Sequence, residues 1–160
     1  LPETIAIRNQ IFKESGRVSM IGISALDPAW AKEVKVRGKM LFIIEGLSMY
    51  LTAEENGKIL KIIKDNFDNA YILMECLAKT WVKKEGIEKS IQQTGSKFIF
   101  GADHFEELGN MTAGYHKIKD DNILRGMALF SPIYKLIVLL PIAKRFTQKI
   151  LIFEKDQQSL

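Results

Sequence analysis

The chain has 160 residues, 47% hydrophobic and 26% charged, with 23 Lys and Arg against 19 Asp and Glu. That is room for one ordinary domain with a substantial core, in the composition range of globular proteins. The net charge of +4 is only mildly basic, and the scattered lysines (Lys58, Lys61 and Lys64 on one segment, Lys83-Lys84 together) read as solvated helix faces rather than a nucleic-acid surface.

Cys76 is the single cysteine and reads as a core residue. No internal disulfide can form, and a reducing, cytoplasmic compartment is the simpler expectation. Two histidines and one cysteine without close spacing make a structural zinc site an unsuitable reading, so no metal is expected. No basic-then-apolar leader opens the chain. It begins with Leu rather than Met, which reads as a fragment, a processed product or an incomplete protein.

In chain order, Leu1–Phe12 reads as an amphipathic helix. Pro2 suits its first position, Glu3 its positive end, and Ile5, Ile11 and Phe12 an inward stripe, with Ser15-Gly16 as the stop. Val18–Ser24 is short, apolar and partly β-branched, as a buried strand is. It runs into Ala25-Leu26-Asp27-Pro28, where Asp27 suits an N-cap and Pro28 the first helical position; Trp30 reads as packing. Met40–Ile44 is an unbroken apolar run, which suits a strand buried on both faces of a parallel sheet. It stops at Glu45-Gly46. A carboxylate directly after such a run is costly unless paired or wet, and the carboxyl ends of parallel strands are where open α/β sheets bind ligands.

Thr52 and Glu55 then have capping-box spacing, and Ile59, Ile62, Ile63 and Phe67 mark one helical face. Asn66–Asn69 is a turn by composition. Ala70–Glu75 repeats the pattern of an apolar strand ending in a carboxylate. Ala78–Lys89 reads as a helix interrupted near Gly86. Thr94–Asp103 has bulky aromatics, Phe98 and Phe100, two glycines, Gly95 and Gly101, and no period, so a loop is expected. His104 follows and is the better placed histidine for proton transfer. Met111–Lys119 reads as a strand, and Asp120-Asp121-Asn122 as the cap of a helical region running to about Arg145. Within it, Ile133–Ile142 is too short to span a membrane, contains Lys135 and is bounded by Pro132 and Pro141. A buried or lid helix and no membrane partner are expected. Lys149–Phe153 is a last strand and Asp156–Leu160 a polar tail. Without repeats, low-complexity runs or linkers, 1–160 is expected to be one domain or part of one.

Four stretches carry a resemblance. EGLSMYLTAEE at Glu45–Glu55, LPETIAIR at Leu1–Arg8, SALDPAW at Ser24–Trp30 and TGSKFIFGADH at Thr94–His104 resemble, in order, motifs of the leucine carboxyl methyltransferase-like family, which includes polyketide O-methyltransferases. The resemblance implies an S-adenosylmethionine (SAM)-dependent enzyme with a Rossmann-like class I sheet of order 3-2-1-4-5-7-6. The chain would supply strands 3, 4, 5, 6 and 7, read at Val18–Ser24, Met40–Ile44, Ala70–Glu75, Met111–Lys119 and Lys149–Phe153. That is an α/β fold lacking its first two strands, mostly parallel with one antiparallel last strand, with helices on both faces. The family's glycine-rich SAM loop and ribose-holding acid have no counterpart in these residues.

The resemblance also implies roles. Glu45, with Gly46, faces the ammonium of SAM, and Glu75 stands where relatives usually have Asp at the edge of the site. Ser24, Ala25 and Asp27 lie against the adenine, Asp27 serving there, as a helix cap, or as both. Tyr50 borders the acceptor and His104 is a candidate base. The expected substrate is a small-molecule hydroxyl or carboxylate. Without strands 1 and 2, Met40–Ile44 would become an apolar edge, so the expectation is either an N-terminal half that supplies those strands or a homodimer through exposed edges.

GxSxG, P-loop, CxxC and GxGxxG motifs do not occur. Two rival classes remain: a non-catalytic remnant of the fold acting as a binding or interaction module, and a basic nucleic-acid-binding domain.

Overall fold

The computed structural model describes residues 2–12, 16–36, 38–82 and 96–157. Ser15, Lys83-Lys84, the Gly86 interruption of the expected 78–89 helix, Thr94, Gly95 and tail residues 158–160 lie outside them. The chain forms two compact units, Leu1–Arg37 and Gly38–Leu160.

In the first unit, α1 spans Pro2–Ile11 and α2 spans Ala29–Glu33. Ile5 is half-buried and lies 3.7 Å from where a Cβ on Gly22 would stand. Ile11 and Phe12 are exposed, so one of the three expected inward side chains is found inward. A unit this small has too little apolar surface to cover them all. Val18–Ser24, expected as a strand, has no regular structure, and Val18 is exposed. β-propensity is chiefly packing against paired neighbours, and no strand among the described residues pairs with this segment.

The second unit carries a four-stranded mixed sheet. Its strands are β1 (Lys39–Ile44), β2 (Asn69–Cys76), β3 (Tyr115–Asn122) and β4 (Lys149–Lys155), in the order β1-β2-β4-β3. β1 and β2 are parallel, while β4 runs antiparallel to both β2 and β3. Three strands thus share one direction and the last in sequence opposes them. β1 and β3 are the edges of this sheet.

β1 and β2 are joined by α3 (Ala53–Asn66), which starts where the sequence says it should. Glu55 N–H donates to Thr52 Oγ1 at 3.1 Å and Thr52 N–H to Glu55 Oε2 at 2.8 Å, a complete capping box. At its far end, Lys155 Nζ donates to Lys64 O and Phe67 O, satisfying carbonyls that the helix leaves open. Ile59, Leu60, Ile63, Ile72, Met74, Leu151 and Phe153 form the core between helix and sheet.

β1 differs from its expected burial on both faces. Ile44 is buried, but Leu41 and Ile43 are 60% and 59% exposed. The strand alternates as an edge strand does when only one of its faces is covered.

The expected strand Met111–Lys119 begins only at Tyr115, because Phe105–Thr112 is 3₁₀-helical. Asp120–Asn122 belong to β3 and pair with Leu151, Ile150 and Lys149 rather than capping a helix by side chain. Ladder bonds to β4 satisfy their backbone and outweigh the turn preference of the Asp-Asp-Asn composition. The helical region that follows is broken into α5 (Ile123–Phe130), α6 (Pro132–Ile137) and α7 (Pro141–Arg145). The two breaks fall at Ser131-Pro132 and Leu140-Pro141, where each proline cannot donate to the preceding turn. Ile133, Leu136, Leu139 and Ile142 are exposed, so this is not a buried helix. No helix among the described residues is long and apolar enough to cross a membrane. α4, Lys79–Val82, is the described part of the expected 78–89 helix.

Candidate functional site

The site grows from the carboxyl ends of β1 and β2. In register, Ile44 stands beside Met74; Glu45 is the first residue past the end of β1, and Glu75 is the next residue along β2. Their environments differ sharply. Glu45 is exposed, whereas Glu75 is 6% exposed. One oxygen of the buried carboxylate is used internally: Gly46 N–H donates to Glu75 Oε2 at 2.8 Å. Gly46 has φ +63, and a Cβ there would meet nothing within 4 Å. The glycine is required by the backbone, and the space beside it is open.

The turn after Gly46 is tied down by two buried polar residues that the sequence reading passed over. Ser48 Oγ donates to Glu75 O at 2.5 Å. Asn56 Nδ2 reaches Ser48 O at 3.0 Å, Thr52 O at 3.0 Å and Leu51 O at 3.3 Å. Both side chains are essentially without solvent contact, and Asn56 Oδ1 has no partner among the described residues. A signal for Asn56 existed. Asn is a poor helix former, and in the first turn of a capped helix it is best explained by bonds to the incoming chain.

Tyr50 closes a 3₁₀ turn, Ser48–Tyr50, and is 39% exposed. Its ring centroid is 5.3 Å from that of Phe98. The 96–104 segment is irregular, as expected, and is pinned to this turn by Ile99 N–H and Phe100 N–H, which both donate to Met49 O. Ala102 N–H donates to Leu77 O, and the backbone passes so close that a Cβ on Gly101 would lie 2.6 Å from Leu77 O. The aromatic loop is therefore fixed against the ends of β1 and β2.

Cys76 is fully buried, and burial pushes its thiol up to about 12, with the Glu75 carboxylate adding to the rise and a Ser48 hydrogen bond opposing it. Such a thiol is not a nucleophile.

His104 is placed by a different strand. Its Nδ1 lies 3.4 Å from Asp120 Oδ2 on β3, and its ring is largely exposed. Asp120 stands in the row Ile44–Met74–Leu151–Asp120 across the sheet. His104 therefore belongs to the same end as Glu75 but is held about two strand spacings, ~10 Å, to the side.

Ser24, Ala25 and Asp27 lie in the first unit. Asp27 Oδ1 accepts from Ala29 N–H at 2.9 Å, a bond two residues along at the entry to α2, whose N-cap position is taken by Pro28 rather than by Asp27 as expected; Ala25 O accepts from the Trp30 indole at 3.0 Å. Ser24 Oγ accepts from Leu26 N–H at 3.3 Å. The second unit brings together Glu45, Gly46, Glu75 and, through the turn, Tyr50. No cluster of three or more potential metal-ligating side chains occurs among the described residues.

Comparison of the chain with protein-family models, with curated proteins and with solved structures returns no match.

Proposed function

We propose that the chain is the acceptor-side part of a SAM-dependent O-methyltransferase acting on a small molecule. The observation that carries this reading is the pair of carboxylates at the carboxyl ends of adjacent parallel strands, Glu45 open and Glu75 buried onto the intervening Gly46. The sheet order supports it as well. β1-β2-β4-β3, with β4 alone reversed, is the order such a sheet has for its strands 4, 5, 7 and 6.

The residues fit the group they would hold. An exposed carboxylate suits the ammonium of the methionine part, and the open space at Gly46 admits close approach by a ligand. When bound, SAM supplies a methyl group that is already electrophilic, so the protein need only bind, orient and exclude water. Glu45 binds the cation. Glu75 holds Gly46, and with it the turn, in place. Tyr50 presents a hydroxyl that orients the acceptor oxygen, beside a wall made by Phe98.

Calorimetry of SAM binding to the full-length protein tests this. Glu45→Gln removes a charge-assisted bond of about 1.5–3 kcal/mol, so the affinity should fall roughly 10–150-fold with the fold intact. Unchanged affinity, or no binding by the unaltered protein, refutes the assignment.

A further inference from the structure

Between Asn122 of β3 and Lys149 of β4, which face each other in register, the chain leaves the sheet and makes the α5–α7 excursion. Its exposed side chains are of an unusual kind. Leu129 and Phe130 are 81% and 90% exposed, and Ile133, Leu136, Leu139 and Ile142 are each at least 66% exposed. Exposed apolar surface of this extent marks an interaction site rather than ordinary surface.

The charges of the stretch are all of one sign. From Ile123 to Arg145 the sequence contains Arg125, Lys135, Lys144 and Arg145 and no Asp or Glu, although the whole chain holds 19 acidic residues against 23 basic ones. Arg125 is engaged by Asp121; Lys135 and Arg145 are exposed.

Apolar side chains interleaved with exposed cations, Lys135 and Arg145, are what an anionic lipid surface selects. The apolar groups enter the headgroup layer and the cations meet its phosphates. A second copy of this chain fits poorly, because two such faces would set cations against cations. The proline breaks also suit a helix chain lying in the plane of a bilayer, since no piece exceeds eight residues. We propose that α5–α7 docks the protein on anionic phospholipid membranes. This departs from the expectation of no membrane partner, which rests on the length needed to span; lying in the interface asks for no such length.

The test is co-sedimentation of the full chain with vesicles of phosphatidylcholine alone and of phosphatidylcholine with about 30% phosphatidylserine, an anionic surface of the kind basic segments recognise. Binding should require phosphatidylserine and weaken with salt. The double substitution Lys135→Gln, Arg145→Gln should lower the partition coefficient about 25-fold, roughly fivefold for each cation lost. Phe130→Asp should lower it at least as far. These side chains are exposed, so circular dichroism should show all the variants folded like the parent. Absence of binding, equal binding to both vesicle types, or variants that bind like the parent would overturn the proposal. So would a lipid-free dimer that Phe130→Asp dissolves, which would assign the face to a second copy.

Discussion

Asn56→Ala is the most searching perturbation of the turn that carries Glu45 and Tyr50. The substitution removes both N–H donors of a side chain that is 1% exposed. The three carbonyls it serves are not equally dependent on it. Ser48 O still accepts from Leu51 N–H, and Thr52 O from Asn56 N–H; Leu51 O loses the bond that Asn56 gives it. Two lost hydrogen bonds cost about 2 kcal/mol, and a less satisfied carbonyl about 1 more. The small cavity adds about 1 kcal/mol. Against this, Ala is the better helix former by about 0.6 kcal/mol, and removing the unpartnered Oδ1 returns about 1. The net is a loss of about 2–3 kcal/mol. With an m-value near 2 kcal/mol/M, the urea midpoint should drop by about 1–1.5 M. Asn56→Asp should be worse, because it points a carboxylate at carbonyl oxygens. A midpoint for Asn56→Ala within about 0.25 M of the parent, or Asp better tolerated than Ala, would show that Asn56 does not hold the turn.

Tyr50→Phe in the full-length protein should lower turnover while SAM affinity, read by calorimetry, stays nearly constant; normal turnover with poor SAM binding would place Tyr50 in the wrong half of the site. Gly101→Ala drives a methyl group to 2.6 Å from Leu77 O and should cost about 1–3 kcal/mol, a fall of roughly 3–10 °C in Tm, whereas Gly126→Ala, with nothing within 4 Å, should leave Tm unchanged or raised. His116 lies 2.8 Å from Asp156 and 2.7 Å from Glu154, and these two carboxylates raise its pKa above the usual 6.5. A raised folded-state value means the stabilisation is full below about pH 6.5 and is lost as pH climbs through the folded value. Tm of the parent relative to His116→Gln should therefore decline as pH rises above about 6.5, the usual value, and parallel curves would dismiss the clamp.

What the sequence made legible was local. The Thr52 and Glu55 capping box, the apolar strands that end in Glu45 and Glu75, and the aromatic loop around Phe98 each depend on neighbours a few residues away, and all are found. What it hid depends on distant partners. Val18–Ser24 has strand composition but no strand among the described residues to pair with, while Asp120–Asn122 has turn composition and a strand, β4, that claims it. At the site the same division holds. Gly46 and Glu45 stand out in sequence, but the bond from Gly46 to Glu75 and the Ser48 bond to the Glu75 carbonyl join positions nearly thirty residues apart. Nothing in either segment announces the other. The apolar run of Met40–Ile44 by itself reads the same on an edge as in the middle of a sheet; only the resemblance pointed to an edge, and Leu41 and Ile43 are exposed there.

The position of β4 between β2 and β3 also sets a timetable for synthesis. Tyr71 pairs with Glu154, a residue made about eighty positions later, which at ribosomal rates is a wait of roughly 4–17 s. During that interval β1 and β2 have left the ribosome, yet the middle of the sheet is missing and β2 offers a bare ladder of N–H and C=O groups. β3 emerges before β4, its one neighbour among the described residues, as well. The newborn chain thus holds its most sheet-prone segments open until β4, the last of the four strands, has been made, and holdase chaperones have those seconds in which to bind it.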